Sequence, residues 1–114
     1  MSRPLLIFVS GPYRNPDSIQ RKANIGAVRR VCKQLMLKGH LVIDGHWLLE
    51  TFENDDHITY DEIMRQTLGW LERCDGLYVL ACSAGVEIEI EKAEALGLTV
   101  FTSLDDVPDF RQTP

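Results

Sequence analysis

Leu5-Leu6-Ile7-Phe8-Val9 is an unbroken apolar run, closed by Pro4 before it and by Ser10-Gly11-Pro12 after it. A strand that alternates apolar and polar residues keeps one face wet. This run has no polar face, so both sides need cover, as in a parallel sheet lying between helix layers. Turn-forming residues follow over 15–18, with Asp17 or Ser18 placed to cap a helix. Ile25, Val28, Cys32 and Leu35 then recur at +3, +4 and +3, with Val31 and Met36 widening the stripe. That spacing predicts a helix over about 18–38, stopped by Gly39.

The alternation continues. Leu41-Val42-Ile43 reads as a second short buried strand ending at Asp44-Gly45-His46, and Trp47-Leu48-Leu49 as a short helical turn. Residues 54–57 are a polar loop, 59–72 a helix, 76–82 a third strand, 86–96 a helix closed by Gly97, 98–101 a fourth strand and 103–107 a last turn. Strands alternating with helices predict an α/β fold, a doubly wound parallel sheet in a flavodoxin-like three-layer αβα domain. The 114 residues make one such domain over 1–114, with a loose tail over 108–114.

The net charge of −5 argues against duplex nucleic acid as a partner, because neutralising a phosphate backbone needs a clustered basic surface. A small anionic ligand remains compatible, since one arginine and a few backbone N–H groups can hold it. Cys32, Cys74 and Cys82 fit no zinc spacing and fall in apolar stretches, as buried free thiols of a cytoplasmic protein would. No apolar run is long enough to span a membrane, and residues 1–4 lack the apolar core of a signal peptide. No metal or cofactor motif is present.

In doubly wound sheets the ligand crevice lies beyond the carboxyl ends of the strands, where the winding reverses. Two loops qualify. After the first strand, Ser10-Gly11-Pro12-Tyr13-Arg14 offers a hydroxyl, a close backbone approach and a guanidinium fork suited to phosphate. The same residues would also serve as a Gly-Pro turn with a solvated arginine. They match neither a dinucleotide nor a P-loop pattern.

After the third strand comes Ser83-Ala84-Gly85-Val86-Glu87-Ile88-Glu89-Ile90-Glu91-Lys92-Ala93. On a helical wheel with Val86 at zero, Glu94, Glu87 and Glu91 fall at about 80°, 100° and 140°, whereas Glu89 falls at about −60°, inside the apolar arc. A carboxylate there needs a partner or a cavity. Either it is a structural glutamate at the edge of the core, or it lines a crevice, where the helix dipole would favour the ionised form. An ionised carboxylate in a crevice is what attack on a sugar anomeric carbon requires.

The pairing of Phe-Val-Ser-Gly-Pro-Tyr-Arg with Gly-Val-Glu-Ile-Glu-Ile-Glu-Lys-Ala resembles the nucleoside 2-deoxyribosyltransferase-like superfamily, over about residues 5–101. The resemblance implies a glutamate nucleophile toward C1′, matched by Glu89. It implies 5′-phosphate contacts at Arg14 and Ser83, and a recurring aspartate matched by Asp75, read here as a structural cap. Substrate-binding residues are then Ser10, Gly11, Pro12, Tyr13, Arg14, Ser83 and Gly85, with no cofactor or metal. Two positions depart from the pattern: Phe8 replaces a tyrosine that orients the nucleophile, and Thr67 replaces an aspartate that handles the leaving base. Tyr13 is the candidate for the lost hydroxyl, and Asp61 or Asp44 for the carboxylate. The expected function is N-glycosidic cleavage or transfer on a nucleoside or its 5′-monophosphate, or, given Phe8 and Thr67, nucleotide binding without catalysis. The resemblance also implies a homodimer or higher homo-oligomer; Trp47, Trp70 and Met64, large apolar residues outside the clear sheet core, are either subunit-contact residues or packed inside the domain.

Overall fold

The structure, a computed structural model, describes residues 3–110. Its elements are β1 (Leu6–Ser10), α1 (Ser18–Leu37), β2 (Leu41–Asp44), α2 (Trp47–Phe52), α3 (Tyr60–Leu71), β3 (Gly76–Val79), α4 (Ala84–Leu96), β4 (Thr99–Phe101) and a 3₁₀ turn at Leu104–Asp106. The four strands form one parallel sheet in the order β2-β1-β3-β4. The chain winds outward from β1 to β2, then crosses back through β3 to β4, so the winding reverses between β1 and β3.

Alternation along β1 sorts its side chains onto two cores. Ile7 and Val9 pack with Val28, Cys32 and Leu35 of α1, and with Tyr78 and Phe101. Phe8 packs on the opposite face with Leu71 of α3, Val86 and Ala93 of α4, and Leu77 and Val79. The result is the expected three-layer αβα arrangement. Removing the fully buried Phe8 ring would cost about 3–5 kcal/mol, by analogy with other core truncations.

Helix ends follow local chemistry. The Asp17, Thr59 and Ser83 side chains accept the N–H groups of Ile19, Glu62 and Val86 at the starts of α1, α3 and α4. Asp75 clasps the start of β1. It accepts from Leu6 N at 2.8 Å and takes a two-pronged ion pair from Arg3, at 2.7 and 2.8 Å. His40 forms a second clasp at that edge: Nδ1 accepts from Leu5 N at 3.0 Å, and Nε2 donates to the Pro108 carbonyl. Phe110 N also donates to Lys38 O at 2.7 Å. The expected loose tail is thus tied down through residue 110, and 111–114 lie outside the described residues.

Several expectations are corrected. β2 is a sheet edge, not a fully buried strand, and its Leu41 is 57% exposed. Met36 and Leu96 also face solvent, because the narrower stripes Val28-Cys32-Leu35 and Val86-Glu89-Ala93 suffice to cover a sheet of four short strands. β3 stops at Val79, three residues before Cys82, which leaves that thiol exposed on the loop while Cys32 and Cys74 are buried. No helix among the described residues is long and apolar enough to cross a membrane.

Candidate functional site

A cavity of about 400 Å³ opens beyond the carboxyl ends of β1 and β3, at the reversal of winding. Its wall takes Ser10, Gly11, Pro12, Tyr13 and Arg14 from the first loop, Ser83 and Gly85 from the third, and Glu89 from α4. All eight residues singled out by sequence therefore surround one space. Sequence reasoning missed Gly45, His46, Leu49, Tyr60, Ile63 and Met64, which complete the wall together with Thr67, Ala84 and Val86. The loop after β2 obeys the same strand-end rule as its neighbours, so Gly45-His46 was findable. Nothing in the local pattern marks Tyr60.

Glu89 is 7% exposed, while Glu87, Glu91 and Glu94 are solvated. Ser10 shares its face of β1 with Phe8, and its Oγ donates to Glu89 Oε1 at 2.5 Å. Burial raises the Glu89 carboxyl to about 7, against the lowering pull of the Ser10 hydrogen bond. The expectation that the helix dipole holds this group ionised is corrected. Glu89 is the sixth residue of α4, and the dipole acts mainly within the first turn.

Tyr13 does not supply the hydroxyl missing at Phe8. Its OH donates to Glu53 Oε2 at 2.9 Å, and its own ionisation is pushed up to about 12, by burial first and then by Glu53. Ser10 takes that place. Neither Asp44 nor Asp61 lines the cavity: Asp44 accepts from His46 N at 2.8 Å, and Asp61 is exposed. Thr67 lines the wall but turns its hydroxyl back to Met64 O at 3.0 Å. Asp75 belongs to the clasp at the far edge of the sheet.

His46 is buried, edge-on to Tyr13 with ring centroids 5.1 Å apart. Its Nε2 lies 2.8 Å from Gly11 O, which fixes a proton on that nitrogen, and Nδ1 has no hydrogen-bond partner among the described residues. Gly45 makes this approach possible: a Cβ there would stand 2.5 Å from Val9 O and 2.9 Å from the Phe8 ring. The Arg14 guanidinium lies 4.2 Å from the centre of the Tyr60 ring, whose hydroxyl stands 3.1 Å from the position a Cβ on Gly85 would take. Arg14, Tyr60, Ser83 and the first turn of α4 thus form a polar, cationic end, open to an anion. Leu49, Ile63 and Met64 form an apolar wall. Among the described residues no three His, Cys, Asp or Glu side chains gather as a metal site.

Fold and site together define a small doubly wound α/β domain with a cavity at its switch point. The chain belongs to the family described as a domain of unknown function, DUF7768, whose model matches residues 5–103. A comparison with the curated proteins finds no match.

Proposed function

We propose that the cavity takes a nucleoside or its 5′-monophosphate, and that Glu89 attacks the anomeric carbon to cleave or transfer the N-glycosidic bond. The observation that carries this reading is the Ser10–Glu89 pair, a buried carboxyl oriented by one hydrogen bond beside a cavity of nucleotide size. Ser10 occupies one oxygen, leaving Oε2 for the reacting carbon. Arg14 and Ser83 stand where a 5′-phosphate would sit, and the apolar wall suits a flat base. The resemblance to the nucleoside 2-deoxyribosyltransferase-like superfamily supports the same assignment. The reading invokes no cofactor, and it places a second copy of the chain, packed through the Trp47 surface, as the partner.

Incubation with a panel of nucleoside monophosphates, with free base followed by chromatography, tests it. Base released by the wild type and not by Glu89→Gln supports catalysis.

A second reading, nucleotide binding without turnover, is favoured by one observation: the Thr67 hydroxyl is spent on Met64 O, and neither carboxyl group of α3, Asp61 or Glu62, lines the cavity. Binding of a monophosphate with no base release would select it.

A further inference from the structure

Nucleophilic cleavage of a neutral purine or pyrimidine nucleoside needs two groups in opposite states. The nucleophile must be ionised, and an acid must protonate the base as it leaves. Glu89 is the sole Asp or Glu among the described residues lining the cavity, and it cannot hold both states at once.

Four of the other protic groups of the wall are already committed. The Ser10 hydroxyl donates to Glu89, Tyr13 to Glu53, Thr67 to Met64 O, and His46 Nε2 to Gly11 O. His46 Nδ1 has no hydrogen-bond partner among the described residues, and the ring proton the structure fixes is the one on Nε2, held by Gly11 O. Ser83 and Tyr60 lie at the cationic end, where Tyr60 underlies Arg14 and crowds Gly85. Thr67 is seven residues further along α3, roughly 10 Å of helix rise beyond Tyr60. The apolar wall has no donor to give.

Resting on the proposed function above, we infer that the substrates are N-glycosides whose base is already cationic, such as a pyridinium nucleoside 5′-monophosphate. Glu89 Oε2 forms a bond to C1′ as the C1′–N bond breaks, and the electron pair returns to the ring nitrogen. That nitrogen loses its positive charge, so the base departs neutral without taking up a proton. Water then attacks C1′, the ester C–O bond breaks and restores the Glu89 carboxylate, and one proton passes to solvent. The positive ring also pairs with the ionised carboxylate before reaction, an attraction no neutral base supplies.

The test sets nicotinamide mononucleotide and its 2′-deoxy analogue against three neutral-base compounds: the reduced form of nicotinamide mononucleotide, AMP and dAMP. All are incubated with the full chain at pH 8, uncatalysed release is subtracted, and Glu89→Gln is run in parallel. Base release from the pyridinium compounds should exceed that from the neutral ones by at least about a hundredfold, and should vanish in Glu89→Gln. Comparable release from the neutral compounds would overturn the inference while leaving Glu89 as nucleophile. Release that persists in Glu89→Gln, or none from any compound, would overturn the catalytic reading and this inference with it.

Discussion

Ser10 Oγ donates to Glu89 Oε1 across 2.5 Å, joining the last residue of β1 to the second turn of α4. Burial raises the carboxyl and this hydrogen bond lowers it, so the net value of about 7 reflects both. Ser10→Ala removes only the lowering part. Hydrogen bonds to charged groups are worth about 1.5–3 kcal/mol, so the Glu89 titration should move up by one to two pH units. Carbon-13 NMR of glutamate-labelled protein measures this directly, and Ser10→Thr should restore the wild-type value. Base release should show the same shift, its rate rising through about pH 7 in the wild type and at higher pH in Ser10→Ala.

The raised carboxyl also has a signature in stability. A carboxyl higher in the folded chain than its usual 4.5 binds its proton more tightly when folded. Its contribution to stability is fully present below about pH 4.5 and is lost as pH rises through about 7. Glu89→Gln lacks this titration, so its stability relative to wild type should grow across that window, by roughly 3 kcal/mol. Urea unfolding of both proteins at pH 5 and pH 8 provides the comparison. A constant difference would mean Glu89 is as well solvated as an ordinary surface glutamate.

Arg14 has a face-on aromatic support and, among the described residues, no ion-pair partner. Arg14→Ala should weaken binding of a nucleoside 5′-monophosphate about ten- to a hundredfold, while the free nucleoside loses little. Calorimetric titration with the two ligands separates the cases. Equal losses for both would remove the phosphate role.

Trp47 is 59% exposed yet stacks on Trp70, with centroids 5.9 Å apart and planes at 17°. The proposed two-fold pair would cover this platform. Sedimentation at micromolar concentration should find a species of twice 13.0 kDa, and Trp47→Glu should reduce it to the single chain. A wild-type monomer would dismiss the pairing.

The layering was legible because burial on both faces leaves an unmistakable apolar run at β1, and because helical period parts Glu89 from its three neighbours. Edges were less legible. An apolar triplet such as Leu41-Val42-Ile43 looks the same in the middle of a sheet and at its margin, since sequence order does not reveal which strand has one neighbour. The Ser10 contact was invisible for a related reason. Two side chains 79 positions apart meet only through the β1–β3 register and the placement of α4, and local spacing carries neither. Tyr60 entered the site the same way, through α3 packed across the strand ends.

The His40 clasp holds Pro108 at the strand-entry edge of the sheet, beside Leu5, while the cavity opens at the strand-exit edge. The five residues of β1 lie between them, roughly 16 Å of extended chain. A surface attachment made through the exposed Pro108–Asp109 segment would hold the protein by its far pole. The cavity would face the flowing solution, and ligands could be titrated onto a tethered chain without the tether shading the pocket.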